Sequence, residues 1–131
     1  MKTTAINPWK WQDQFGFSQA IDVSGAQRII YCAGQTSVDD EGAPLCTGDM
    51  AGQMNRALDN LERVLRDAGL GLANVVRLNY YTTNVPAFME AAGVLGARLA
   101  AAGCKPAATL LGVATLFHPD ILIELEATAA I

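Results

Sequence analysis

The alternation of apolar and polar residues along the chain predicts an α+β domain that opens with strands. Short apolar stretches at 3–6, 17–23 and 28–33 are separated by turn residues, which indicates three successive strands. From Asp49 onward, apolar residues recur at helical spacing and predict a helix that ends at Gly69. The apolar positions of this helix are Met50, Met54, Leu58, Leu61, Val64, Leu65 and Ala68.

The second half of the chain alternates strand and helix. Residues 74–83 are rich in β-branched and aromatic side chains and predict a strand. Asn84 and Pro86 then favour the start of a second helix, which covers 88–102 and ends at Gly103. Two further strands are expected at 107–115 and 122–130, joined by a turn at 118–120. Residues 1–131 are therefore expected to form one domain, a mixed sheet of about six strands with two helices on one face.

The last strand shows which face of the sheet the helices cover. Its apolar residues Ile123, Leu125 and Ala127 alternate with Glu124 and Glu126, so one face suits the helices and the other carries two carboxylates. By contrast, 29–33 and 107–113 are apolar at nearly every position, as in strands that are covered on both faces. Because two helices cover only one face, we expect another copy of the chain to cover the second face.

Composition and charge narrow the function classes. Hydrophobic residues make up 51% of the 131 residues and charged residues 17%, and the net charge is −4. A negative chain without a Lys/Arg cluster is a poor partner for nucleic acid. No run of about eighteen apolar residues occurs, and the first residues lack a signal-peptide pattern, so we expect a cytoplasmic protein that does not enter the membrane.

Cysteine and histidine usage does not point to a metal site or an organic cofactor. The three cysteines, Cys32, Cys46 and Cys104, lie far apart and form no C-x-x-C pair, so we expect reduced thiols. His118 is the only histidine, and the following Pro119 and Asp120 favour a structural role in a turn over a catalytic one. No metal centre is expected within one chain.

Four segments of the chain resemble the RidA/YjgF family. They are Ala33-Gly34-Gln35, the helix with Gln53 and Ala57-Leu58-Asp59-Asn60-Leu61, Pro106-Ala107-Ala108-Thr109, and Ile123-Glu124-Leu125-Glu126-Ala127. The resemblance implies a trimer of chorismate-mutase-like subunits with clefts between them, whose members hydrolyse reactive enamines and imines. In such members an arginine of the Pro-Ala-Arg motif grips the substrate carboxylate. The first glutamate of the last motif positions or activates the attacking water.

The predicted site keeps the glutamate of this family and loses its arginine. Glu124 matches the glutamate, whereas Ala108 stands at the position of the arginine. Phe17, Ala33 and Ala92 stand where a tyrosine, a serine and an asparagine are expected, while Gly34 is kept. Loss of a buried charge partner typically costs about 2–5 kcal/mol. The resemblance thus implies a small-molecule site without its usual anion-binding group.

Two basic residues are considered as substitutes for the missing arginine. Lys105 lies three residues before Ala108, so in an extended strand it points to the opposite face. Arg77 can serve only if its position in the fourth strand directs it to the cleft.

Several candidate residues have an ordinary structural alternative. Pattern alone favours Glu124 as a solvated or paired carboxylate, whereas the resemblance favours a role in the pocket. Glu126 is expected to be a salt-bridge or interface residue. Trp9 and Trp11 suit an interface more than a pocket rim. Tyr80 and Tyr81 alternate in direction, so one packs inward and one can reach the cleft, and Cys32 is expected to be an inert buried thiol.

Two classes of function remain open at this stage. The first is a RidA-like hydrolase or deaminase, in which Glu124 positions water against a small imine, enamine or related intermediate. The second is a non-catalytic trimeric module that binds or senses a small ligand. An RNA-cleaving activity, sometimes attached to this family, fits the acidic charge poorly.

Overall fold

The computed structural model describes all 131 residues and confirms the predicted α+β fold. The chain forms seven strands, three α-helices and two short 3₁₀ helices. The strands are β1 (Lys2–Ile6), β2 (Ala20–Ser24), β3 (Ile29–Tyr31), β4 (Gln35–Thr36), β5 (Val75–Thr82), β6 (Ala107–Gly112) and β7 (Ile123–Ala130). The helices are α1 (Met50–Asp67), α2 (Val85–Ala91) and α3 (Gly93–Ala101), and the 3₁₀ helices are Trp11–Phe15 and Leu72–Asn74.

The main sheet is mixed, as predicted, and has β7 near its centre. Its strand order is β3-β7-β5-β6, and the short strand β4 also pairs with β7. Strands β5 and β6 run parallel, whereas every pair that involves β7 is antiparallel. The strand that carries Glu124 is therefore held by hydrogen bonds on both of its sides.

The first two strands form a separate ribbon, which differs from the single six-stranded sheet that was expected. β1 pairs with β2 alone, and the main sheet has five strands. After β2 the chain turns at Gly25, whose φ of 70° is a left-handed conformation that glycine adopts easily. The backbone N–H groups of Gln27 and Arg28 then bond to the carbonyl of Ile131. The following strand is therefore directed to β7, so it does not continue the ribbon.

Helix α1 packs its apolar stripe against one face of the main sheet. Asp49 caps the helix by accepting a hydrogen bond from the Gly52 amide at 2.9 Å. The buried residues of α1 are Met50, Gln53, Met54, Ala57, Leu58, Leu61 and Leu65. The helical spacing of apolar residues thus correctly predicts the centre of the buried stripe of α1. Val64 is also predicted to be buried, but it lies at the edge of the stripe and is 36% exposed.

The structure has two helices where the sequence predicts one second helix. The first begins at Val85, capped by the Asn84 side chain, and α3 follows after Ala92. Ala92 keeps helical dihedral angles, but the regular hydrogen-bond pattern is interrupted there, next to Gly93, a residue with low helix propensity. The two helices lie over the β5–β6 side of the sheet, where Phe88 of α2 packs against Tyr80 of β5.

The opposite face of the main sheet is open to solvent in a single chain. Ile29, Tyr31 and Leu111 are 52%, 79% and 49% exposed. The strands that were expected to be covered on both faces are thus covered only on the helix side. None of the three helices combines the length and the apolar composition that crossing a membrane requires.

Candidate functional site

The predicted site residues form two groups on opposite faces of the main sheet. Residues paired in register point to the same face of a sheet. Ala108 is paired with Leu78, which is fully buried under the helices. Glu124 is paired with Tyr81, whose hydroxyl bonds to Glu126 on the open face. The structure therefore does not bring Ala108 and Glu124 together within one chain.

The first group lines an apolar cavity on the helix side of the sheet. The cavity has a volume of about 320 Å³ and is lined by residues of β5, β6, α2, α3 and the segment around Phe15. Three predicted residues, Phe17, Ala92 and Ala108, lie in its wall. The volume is within the range of small-molecule sites. We name this space the ring cavity, after the aromatic side chains in its wall.

Backbone contacts fix Phe17 next to the strand that carries Ala108. The amide of Ser18 donates to the carbonyl of Pro106 at 2.9 Å, and its hydroxyl donates to the carbonyl of Lys105 at 2.7 Å. These bonds join the segment after the first 3₁₀ helix to the edge of β6. The Trp11 ring then packs edge-on against Phe17, with 5.8 Å between the ring centroids. Trp11 thus supports the cavity wall through its contact with Phe17. It is also 54% exposed, so it remains available for the interface that the sequence predicts.

Most of the ring cavity was not found from the sequence. Its wall also contains the side chains of Phe15, Tyr80, Phe88, Leu95 and Leu99, none of which was predicted as a site residue apart from the alternative given for Tyr80. The rings of Tyr80 and Phe88 lie 5.4 Å apart. Only the alternation of Tyr80 and Tyr81 signalled that one tyrosine could reach a site.

The second group surrounds the carboxylate of Glu124 on the open face. Gly34 is the closest of these residues, since a Cβ atom added there would lie 2.8 Å from Cγ of Glu124 and overlap its carboxylate. A larger residue at this position would therefore force the Glu124 side chain to move from its present place. Ala33, the preceding residue, is exposed and is not part of the ring cavity wall.

The two carboxylates of β7 have different surroundings. Glu126 accepts hydrogen bonds from Asn79 and Tyr81, each at 3.0 Å, whereas no side chain or backbone group of the chain donates to Glu124. Partial burial raises the pKa of Glu124, and the negative charge of Glu126 raises it further. The hydrogen bond to Glu126 raises the pKa of Tyr81. Glu124 is thus a partly desolvated carboxylate that is free to bind water or a ligand.

Neither basic residue that was considered as a substitute for the missing arginine lies in the wall of the ring cavity. Arg77 lies on the open face, where its guanidinium donates to Oγ1 of Thr109 at 2.7 Å. In the register with β7 it lies opposite Thr128, four residues along the strand from Glu124. Lys105 is exposed and is not part of the ring cavity wall.

The remaining candidates have structural roles within the chain. Nδ1 of His118 accepts a hydrogen bond from the Asp120 amide at 3.0 Å, which confirms the predicted turn. Cys32 is buried in the core, and burial raises the pKa of its thiol, as expected for an inert cysteine. Trp9 is 56% exposed and contributes no side chain to the ring cavity. No three His, Cys, Asp or Glu side chains lie together in a way that could hold a metal ion.

Comparisons with known proteins agree with this fold and with the family that the sequence motifs resemble. Residues 12–131 match the family model described as endoribonuclease L-PSP. A RutC family protein of Pyrococcus abyssi is 33% identical over 113 residues, which cover 86% of this chain and 84% of that protein. The human 2-iminobutanoate/2-iminopropanoate deaminase is 32% identical over 72 residues, 55% of this chain and 50% of that protein.

A solved structure extends the similarity to the whole chain. The crystal structure of YyfB, a conserved Rid family protein of Yersinia pestis, superimposes with a TM-score of 0.86 at 36% identity and covers 100% of both chains. The chain therefore belongs to the RidA/YjgF family.

Proposed function

We propose that the chain is a cytoplasmic hydrolase that releases ammonia from a small imine or enamine in a cleft between copies of the chain. In this proposal the ring cavity of one copy holds the organic part of the substrate. Glu124 of an adjacent copy positions and activates the water. The human relative named as an imine deaminase supports this class of reaction. The proposed chemistry needs no metal or organic cofactor.

The observation that carries the proposal is the division of the site between the two faces of the sheet. Within one chain, Phe17, Ala92 and Ala108 lie in the wall of the ring cavity, whereas Gly34 and Glu124 lie on the open face. A site that needs both groups requires a second copy. The exposed apolar residues of the open face favour such an assembly, because they would be buried in it. The expected assembly is a closed ring of three copies.

The reaction follows from the chemistry of an imine and a carboxylate base. Glu124 accepts a proton from water while the water oxygen bonds to the imine carbon, and the C=N electron pair moves to nitrogen. The nitrogen takes up the proton that Glu124 accepted, which gives the carbinolamine. The carbinolamine hydroxyl proton then passes to nitrogen through Glu124, the C–N bond breaks, and ammonia leaves as the C–O bond becomes a carbonyl. The raised pKa of Glu124 makes it a stronger base than an ordinary surface carboxylate. An enamine enters the same sequence after protonation of its carbon.

Mixed oligomers test whether the site is built from two copies. Glu124→Gln removes the base, and Ala108→Phe fills the ring cavity, so each variant alone is expected to release ammonia from enzymatically generated imines far more slowly than the wild-type chain. Refolding equal amounts of the two together is expected to restore about a quarter of the sites. A site is restored only when one copy supplies an unfilled cavity and the adjacent copy supplies the glutamate, and each has a chance of about one half. Ammonia release by the mixture, relative to the wild-type chain, is the measurement.

A sedimentation control and three defined outcomes make the mixing experiment decisive. Each variant refolded alone must give the same sedimentation profile as the wild-type chain. An inactive mixture that contains mixed oligomers would contradict the shared site. A stable monomer at micromolar concentration would contradict the assembly itself. If the wild-type chain is no faster than buffer on any imine or enamine, the hydrolase is excluded and the ligand-binding module remains.

The pH dependence of ammonia release is expected to report Glu124. Protonation removes the base, so activity is expected to fall as the pH decreases through the raised pKa of Glu124. Glu126→Gln removes the neighbouring negative charge, which is one cause of that raised pKa. The acidic limb of the pH profile should therefore move to lower pH in this variant. Arg63→Gln, a charge change at an exposed position on α1, is the control and should leave the limb in place.

A non-catalytic ligand-binding module is the second candidate. The observation that favours it is the apolar wall of the ring cavity, which lacks the arginine, tyrosine and asparagine of the family pattern at Ala108, Phe17 and Ala92. Cleavage of RNA, which the family description names, is not proposed. The net charge of −4 opposes binding of a phosphate backbone.

A further inference from the structure

Tyr80 carries the one side-chain hydroxyl in the wall of the ring cavity that is free to bind a ligand. Only two residues of that wall, Tyr80 and Thr109, have a hydroxyl group. The hydroxyl of Thr109 accepts a hydrogen bond from Arg77, which lies on the open face of the sheet. It is therefore turned away from the cavity. The polar chemistry of the cavity then depends on Tyr80.

The Tyr80 hydroxyl makes no hydrogen bond with any other group of the chain. Buried tyrosine hydroxyls usually find such a partner. Oδ1 of Asn79 is the only fully enclosed polar side-chain atom without a partner, so the Tyr80 hydroxyl keeps some accessible surface, and Tyr80 lies in the wall of the ring cavity. An unpaired donor at the surface of an apolar cavity is suited to an acceptor atom of a bound molecule.

The position of Tyr80 places this donor near the residue that replaces the family arginine. Tyr80 is paired with Leu110 on β6, and Ala108 lies two residues earlier on the same face of that strand. Phe88 packs against the Tyr80 ring from α2. The packing limits the rotation of the ring, and Tyr80 lies in the same cavity wall as Ala108.

We propose that Tyr80 is the polar anchor of the ring cavity and donates a hydrogen bond to an uncharged acceptor, so that the cavity selects neutral aromatic carbonyl or imine compounds. This inference deepens the proposed function by naming the substrate class of the same site. Binding of such a compound does not itself require that the chain be a hydrolase.

Size and charge support this ligand class. An apolar cavity of about 150 Å³ holds benzene. The ring cavity, with about 320 Å³, therefore has room for a substituted ring. No lysine or arginine lies in its wall, so a carboxylate would lose its hydration there without gaining a cation. Burial raises the pKa of Tyr80, and nearby Cys104 raises it further, so the hydroxyl stays a neutral donor at physiological pH.

Three small probes and two matched variants test the anchor without any turnover. Acetophenone has a ring and a neutral acceptor, toluene has the ring alone, and benzoate has a ring and a charge. Their dissociation constants are measured by NMR titration of the wild-type chain, Tyr80→Phe and Tyr81→Phe. Tyr81 is the control because it is the next residue of β5 and its hydroxyl bonds to Glu126 on the other face.

Tyr80→Phe is expected to weaken acetophenone binding about three- to tenfold and to leave toluene binding unchanged, as loss of one neutral hydrogen bond predicts. Tyr81→Phe is expected to change neither, and benzoate should bind the wild-type chain more weakly than acetophenone. Unchanged toluene binding also shows that the variant keeps its cavity. The proposal is overturned if acetophenone does not bind, if Tyr80→Phe weakens both ring probes equally or neither, or if benzoate binds as tightly as acetophenone. Tight acetophenone binding by a chain without imine hydrolysis would refute the proposed function and leave this inference standing.

Discussion

Glu124→Gln is expected to lower the rate of ammonia release at least about 100-fold, since a positioned general base contributes roughly 10²- to 10⁴-fold. Glutamine keeps the size of the side chain next to Gly34 but cannot accept a proton from water. The Glu124 carboxylate makes no hydrogen bond or ion pair with the chain, so its removal leaves no donor unpaired. The melting temperature is therefore expected to be unchanged or higher.

The matched control for this substitution is Glu126→Gln, the same change two residues along the same face of β7. Glu126 binds Asn79 and Tyr81 and has no part in the proposed proton transfer. At a pH above the pKa of Glu124, this variant should keep most of its activity and lose some stability. Equal activity of Glu124→Gln and the wild-type chain would exclude Glu124 as the base. An equal loss of activity in both variants would indicate that removing any negative charge from the open face lowers activity, without a specific role for Glu124.

Ala108→Arg is expected to improve turnover of carboxylate-bearing imines by about thirtyfold or more. A buried charge partner is worth about 2–5 kcal/mol, and about 1.4 kcal/mol corresponds to one factor of ten. Because Ala108 lies half-buried in the wall of the ring cavity, an arginine there would place its guanidinium where the family resemblance implies an anion grip. The same variant should bind acetophenone more weakly, because the side chain occupies part of the cavity.

The effect of charge is separated from that of volume by Ala108→Met. Methionine is a flexible, unbranched side chain that fills the cavity without a positive charge. It should weaken acetophenone binding as the arginine does, with no gain on carboxylate-bearing imines. If Ala108→Arg assembles normally and shows no gain over Ala108→Met, the missing arginine is not what separates this site from the family reaction. The differences at Phe17, Ala33 and Ala92 would then matter more.

Sequence patterns predicted the local elements well wherever one residue period continued over many positions. The spacing of Met50, Met54 and Leu58 defined the buried face of α1, and that face is buried. The alternation around Glu124 correctly separated the two faces of β7. The pattern was less informative at 88–102, because helical dihedral angles continue through Ala92 and only the hydrogen bonding is interrupted. The ribbon of β1 and β2 depended on the turn at Gly25, which apolar spacing does not describe.

The fold class, the family and the residue at each motif position could be predicted from the sequence, because they depend on local spacing and residue type. Which of those residues meet depends on how the chain folds. Phe17, Tyr80, Phe88 and Ala108 are far apart in the chain and form one cavity because β6, α2 and the N-terminal segment pack at the same edge of the sheet. Glu124 lies on the other face because its direction alternates with that of the buried residues on either side. Long-range packing sets these contacts, and no local period encodes it.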